Sequence, residues 1–257
     1  MASCLTSTPP KRFAPLLAAT LTGPAAVTVM AVAALFATAP AAWATEAATV
    51  QEILDGREFY IDDREARVKQ RATAPDEIRT RRSRGQIRFD SGAAGRVNSN
   101  SQLRLGSGCF LLSKGQILVS GPQSGCTRSA RMSVRGTNYL LEVKEDDSTE
   151  LSVLEGSVEV EPLRDGEPVP DGQAPPTRVE AGQRVRLSPA GVVLTLLKLS
   201  SGDYSGILGG PLFEGFREPL PGMGSLESYI RRYVPGVGLP GLPVTPSIPG
   251  FSLPRFF

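Results

Sequence analysis

The chain has 257 residues, 40% of them hydrophobic and 6% aromatic, with 27 glycines, 22 prolines and no histidine. That length holds one or two domains with a real core. The glycine and proline content favours short strands and turns over long helices. The missing histidine removes the Ser-His-Asp constellation, the usual general base and most catalytic metal sites.

At the N-terminus Lys11 and Arg12 precede a largely apolar stretch from Phe13 to Pro40, and Ala42-Trp43-Ala44 gives the small-x-small pattern of a signal-peptidase site. Residues 1–44 are expected to be an export signal, with the mature chain starting at Thr45 in a periplasmic or extracellular bacterial protein. The other reading is an uncleaved membrane anchor, against which Pro15, Gly23, Pro24 and Pro40 interrupt the run. Cys4 stands upstream of the apolar stretch, not where a lipobox cysteine belongs. Cleavage leaves 26 basic and 26 acidic residues, so net charge says nothing about partners.

The distribution of charge says more. Nine basic residues fall between Arg64 and Arg88, among them Arg64, Arg67, Lys69, Arg79, Arg81, Arg82 and Arg84, and twelve acidic ones between Glu142 and Glu180. The basic run reads either as a solvated strand face neutralised by the acidic segment or as a surface that captures an anionic polymer or lipid headgroup. Nucleic acid is not expected, because the run lacks interleaved aromatics for base stacking.

Period-two alternation dominates the mature chain. Strands are expected at Phe59 to Ile61 and Ala66 to Lys69 around an Asp62-Asp63 turn, then at Ile78 to Thr80 and Gln102 to Leu105. Four phrases pair a leading glycine with an alternating strand: Gly85 to Phe89, Gly115 to Val119, Gly156 to Val160 and Gly182 to Leu187. Glycine there admits backbone angles that turn the chain before the strand. The phrases are unevenly spaced, which excludes a strict solenoid repeat. Tyr139 to Val143 and Thr149 to Val153 add further strands. About twelve short strands with almost no helix predict an all-β roll, sandwich or irregular solenoid over residues 45–200. Cys109 and Cys126 flank a turn made by Gly121, Pro122 and Gly125, and in an oxidising compartment they are a plausible disulfide; two buried thiols are the alternative.

Arg135-Gly136-Thr137 with Tyr139, followed by Gly156 and then Gly182, is the most specific pattern in the chain. Together with Ile78-Arg79-Thr80, Phe89-Asp90-Ser91-Gly92 and Asn100 to Leu105 it resembles the FecR-like domain over roughly Thr49 to Leu187. In the regulator that gives this family its name, as the resemblance implies, a cytoplasmic segment grips a sigma factor, one helix crosses the inner membrane and the periplasmic domain listens to an outer-membrane transporter. Here about a dozen residues precede the apolar run, too few for a folded sigma-factor-binding segment. The expectation is a freestanding exported FecR-like domain, its motif residues structural.

From Gly202 to Phe257 there are nine prolines and eleven glycines, a composition for which residues 201–257 are expected to be a largely disordered tail. A short helix fits residues 225–233, where Ser225 can cap and Pro235 stops it. The alternative is a docking segment, because Phe251, Phe256 and Phe257 are unusually apolar for a solvating tail. The carboxylate doublets Asp62-Asp63 and Asp146-Asp147 sit in turn-like contexts, and no enzyme, catalytic residue, metal or other cofactor is expected. The expected function is a periplasmic or envelope protein-interaction and sensor module; the alternative is a structural protein that binds wall polymer or an anionic surface through residues 64–88. The partner is expected to be an envelope protein or cell-wall polymer, with membrane contact at most peripheral.

Overall fold

The computed structural model describes residues 46–164, 167–168 and 175–239. Among them are eighteen strands: β1 (Ala47–Leu54), β2 (Phe59–Ile61), β3 (Arg64–Glu65), β4 (Arg71–Thr73), β5 (Glu77–Thr80), β6 (Arg84–Phe89), β7 (Ala94–Val97), β8 (Gln102–Arg104), β9 (Phe110–Gly121), β10 (Gly125–Cys126), β11 (Ala130–Val134), β12 (Thr137–Val143), β13 (Thr149–Glu155), β14 (Ser157–Arg164), β15 (Glu167–Pro168), β16 (Thr177–Glu180), β17 (Gln183–Leu187) and β18 (Val193–Lys198). Two helices follow, α1 (Ser201–Leu208) and α2 (Met223–Tyr233). The all-β expectation holds, although many strands are shorter than the alternation implied. Ala66 to Lys69 is not a strand: Lys69 turns at φ 73°, and the short hairpin partner of β2 is Arg64–Glu65 instead.

The strands form two layers. The first runs β4-β1-β6-β7-β9-β12-β13-β17-β18, antiparallel throughout. The second runs β3-β2-β5-β8-β9-β10-β11-β14-β16, with the single parallel pair β9–β10. Both layers share β9, whose Phe110 to Lys114 half pairs in the second and whose Gly115 to Gly121 half pairs in the first. The switch falls at Gly115, where φ is 80° and a Cβ would lie 2.4 Å from Ser101 Oγ. Only glycine passes that corner, which is why a glycine stands inside the strand.

Between the layers lies a core that includes Phe59, Ile78, Phe89, Phe110, Tyr139 and Val185, all essentially inaccessible. Phe89 stacks on Phe110 with ring centroids 5.6 Å apart. A second core covers the opposite face of the first sheet, where Leu118, Leu140 and Leu154 meet Tyr204, Leu208, Leu212, Phe213, Leu226 and Ile230. The middle strands of this sheet are therefore buried on both faces, and runs such as Ile117-Leu118-Val119 and Tyr139-Leu140-Leu141 read as continuous apolar sequence.

That second core corrects the boundary expected at residue 201. Residues 201–239 are not tail but a cap on the sheet, and the described chain ends at Leu239; Phe251, Phe256 and Phe257 lie outside the described residues. Helix α2 spans Met223–Tyr233, close to the 225–233 expected, but Gly222 is its N-cap, and Ser225 Oγ instead donates to Gly222 O at 2.9 Å and lies 3.2 Å from Glu155 Oε2.

Helix α1 begins with a capping box in which Ser200 Oγ accepts from Asp203 N and the Asp203 carboxylate accepts from Ser200 N. The Ser200 hydroxyl first, with Arg184 adding attraction, holds the Asp203 carboxyl below its ordinary range. A carboxyl so lowered contributes stability above its unfolded pKa and loses it as pH falls through the folded value. Asp203→Ala is expected to cost ~1 kcal/mol at neutral pH. The difference between wild type and variant in urea unfolding should shrink as pH falls below the ordinary aspartate value of ~3.9; a gap independent of pH there would contradict this role.

Candidate interaction surface

The first sheet ends on β17 and β18. In β17, Val185 and Leu187 point into the core while Arg184 and Arg186 point the other way. Arg184 is held by Ser152 Oγ at 2.9 Å, Glu150 at 3.3 Å and Asp203 at 3.4 Å, and Arg186 by Asp146 at 2.7 Å. Strand β18 pairs with β17 from Gln183↔Lys198 to Leu187↔Val193, with a bulge near Leu194. Its other edge carries no ladder partner among the described residues.

Every residue of β18 is exposed. Of the eight large apolar side chains that stand exposed among the described residues, five are Val192, Val193, Leu194, Leu196 and Leu197, with Val192 and Leu197 each 60% accessible. Scattered exposed leucines need no explanation, but an apolar run gathered on one free sheet edge does. A further member of the eight, Tyr233, stands nearby, because Lys198, Leu199, Tyr229 and Tyr233 line one groove of about 450 Å³. Tyr204, Tyr229 and Tyr233 form a ladder with centroids 6.5 and 5.0 Å apart. Tyr204 donates its hydroxyl to Leu154 O at 2.9 Å, and burial pushes its pKa up, so it stays a donor.

The motif residues lie at turns and in the core, and of them Gly182 reaches the groove beside β18, where its carbonyl accepts the Leu199 N–H. Arg135-Gly136 makes the turn from β11 to β12, with Gly136 at φ 60°. Tyr139 is fully buried and donates to Gln123 O at 2.7 Å. Gly156 turns at φ 87° against Thr137, and Gly182 at φ 78° leaves room for the Tyr229 hydroxyl, 3.1 Å from where a Cβ would stand. Cys109 and Cys126 are bridged, with Cα atoms 5.8 Å apart and a separation of 17 positions in sequence. A Cys109→Ala/Cys126→Ala variant is expected to lose about 3 kcal/mol of stability, readable as a lower urea midpoint and as insensitivity of that midpoint to reductant.

The basic segment is not brought together as one free face. Arg82 grips Glu58 through two bonds of 2.7 and 3.2 Å, Arg71 grips Asp90, and Arg79 lies 3.3 Å from Asp63. Arg84 bonds Asp55 and turns to the carbonyls of Pro211 and Glu214. Arg64, Arg67, Lys69 and Arg81 are exposed and have no ion-pair partner among the described residues. The carboxylate doublets are engaged locally: Asp62 Oδ1 accepts from Glu77 N and Asp146 Oδ1 from Ser148 N.

One residue that anchors the cap gave no signal in the sequence. Arg96, 6% exposed, reaches across the outer face of the first sheet and donates to Gln86 Oε1 at 2.8 Å, Leu212 O at 3.0 Å and Glu218 O at 2.9 Å. Its guanidinium lies 4.4 Å from the Phe216 ring centroid, and burial pushes its pKa down to about 10, so it remains cationic at neutral pH. Glu52 completes the attachment by accepting the backbone N–H groups of Arg217 and Glu218.

Residues 76–159 match the family described as FecR protein. No curated protein matches the chain. Two crystal structures of one Parabacteroides distasonis protein, at 1.65 and 2.50 Å and designated only provisionally as an anti-sigma factor, are similar at 18% identity with a TM-score of 0.38. Each match covers 48% of this chain and 59% of that protein's length. Among the described residues no helix is long and apolar enough to cross a membrane.

Proposed function

Because the chain carries a FecR domain over residues 76–159, we propose that it acts as an exported, non-enzymatic protein-interaction module of the cell envelope that docks another polypeptide at the free edge of β18. The observation that carries this reading is the edge itself, unpaired on one side among the described residues and lined by Val192, Val193, Leu194, Leu196 and Leu197. An added strand would satisfy its outward backbone groups and cover its side chains, which is the chemistry of strand addition. The Cys109–Cys126 bridge supports an oxidising compartment, and the signal read in residues 1–44 supports export to the periplasm. Capture of wall polymer through residues 64–88 is less favoured, because Arg71, Arg79, Arg82 and Arg84 are already engaged with carboxylates.

The test uses immobilised mature protein and detergent-solubilised envelope, with bound chains identified by mass spectrometry. An apolar strand contact is expected to keep its partner at about 1 M salt, where the Debye length is near 3 Å, and to lose it in Leu196→Lys. Binding that disappears with salt yet survives Leu196→Lys would transfer the function to the basic segment.

A further inference from the structure

We infer that β18 is covered by a strand of this same chain: Phe251 to Phe257 fold back and pair antiparallel with it, Phe251 opposite Lys198 and Leu253 opposite Leu196. This rests on the reading of β18 as a docking edge and adds its regulation, because an outside partner has to displace the chain's own segment.

The regular part of the edge lies between Thr195 and Leu199. Leu199 donates its N–H to Gly182 O, so by the alternation of an antiparallel ladder Leu197 and Thr195 also turn their backbone groups toward β17. Leu196 and Lys198 turn theirs outward, short of the bulge near Leu194. Both faces of this stretch are open and apolar, Leu196 being 44% and Leu197 60% accessible.

The path of the chain gives the direction. Tyr233, Val234 and Pro235, which follow from α2, line one groove with Lys198 and Leu199. A segment returning from there meets Lys198 first and runs toward Val193, antiparallel to β18.

The prolines select which residues can pair. Strand addition uses the N–H of every second residue, and Pro240, Pro243, Pro246 and Pro249 interrupt both phases. Phe251, Leu253, Arg255 and Phe257 make the longest proline-free phase beyond Leu239, and Pro254 falls in the other phase, facing away from β18. A proline on that outer side stops further strands from joining. Charge then selects the register. Arg255 opposite Lys198 would set like charges together, and Arg255 opposite Leu196 would forgo an aliphatic pair. With Phe251 opposite Lys198, Leu253 meets Leu196, Phe251 lies along the lysine stem beside the tyrosine groove, and Arg255 passes to the bulge. Tethered beside the edge, the segment stands at an effective concentration on the order of 1 mM, which favours it over a dilute second chain.

The experiment uses the full mature chain. The Leu196 and Lys198 amides are expected to be protected from hydrogen exchange and to exchange at least tenfold faster in Leu253→Pro, which removes an inward N–H. Ser252→Pro, in the outward phase, should leave them protected. Leu197 and Ser252 face each other at a non-hydrogen-bonded position, with Cα atoms about 4.5 Å apart and within disulfide reach. Mild oxidation of Leu197→Cys/Ser252→Cys should therefore give a bridge within one chain, and Arg67→Cys/Ser252→Cys should not. Capture of an envelope partner should rise at least threefold in Leu253→Pro. Unprotected Leu196 and Lys198 amides in the wild type, together with no bridge in the Leu197→Cys/Ser252→Cys variant, overturn the inference. A bridge that forms only between chains also overturns it, by giving the strand to a second copy, and so does equal loss of protection in both proline variants. In each of these cases, capture that still depends on Leu196 leaves the docking edge standing with only its occupant wrong; capture independent of Leu196 removes both readings.

Discussion

Replacing Arg96 with alanine is expected to lower stability by ~3–5 kcal/mol and to loosen residues 201–239 from the sheet while the inter-layer core holds. Three charge-assisted hydrogen bonds converge on this guanidinium, and two of their acceptors, Leu212 O and Glu218 O, belong to the segment that caps the sheet. Without the fork those carbonyls lose their donor in a largely dry setting, and Phe216 loses the cation on its face. For a chain of this length the loss corresponds to a drop in Tm on the order of 10 °C. Hydrogen exchange is the sharper readout: amides of α1 and α2 should exchange faster, whereas β12, whose Tyr139 and Leu141 face the inter-layer core, should not. Arg96→Lys keeps the charge but cannot reach three acceptors, so it should recover only part of the loss. An Arg96→Ala protein with unchanged exchange in α1 and α2 would show that the apolar contacts alone hold the cap.

The same cap shows where sequence reasoning succeeds and where it stops. Alternation and glycine corners are local signals, so the β character, the turns at Gly115, Gly156 and Gly182 and the position of α2 were legible in the residues. The docking of residues 201–239 was not, because their glycine and proline content describes the linkers and hides the anchors. One signal was available: Tyr204, Leu208 and Leu212 recur every four residues, as do Leu226 and Ile230, and all five are buried. Nothing comparable marks Arg96, since an arginine in an alternating strand reads as solvent-facing until another segment is seen to cover it. The converse holds for Val192 to Leu197, whose apolar run reads as core strand and yet stands at an edge. Which strand lies outermost is decided by long-range pairing that composition does not record.

Gly156→Ala is expected to cost ~3–5 kcal/mol, the sum of two separable penalties. One is conformational: φ is 87°, where a Cβ is strained against the backbone. The other is steric, because that Cβ would stand 2.4 Å from Thr137 Cγ2 and 3.2 Å from Thr137 Cα. The contact gives the motif its physical meaning: the glycine before β14 leaves space for the threonine that opens β12, so the two phrases need each other. Two controls separate the penalties. Gly136→Ala shares a positive φ, at 60°, but its Cβ would have nothing within 4 Å, so it should cost only ~1 kcal/mol. Thr137→Ser removes the obstructing methyl while keeping the hydroxyl, and in the double variant it should return the steric share, a coupling of ~1–2 kcal/mol by urea unfolding. Additive effects of Gly156→Ala and Thr137→Ser would mean that Gly156 is required for its backbone angle alone, and that the order of the motif does not arise from this packing.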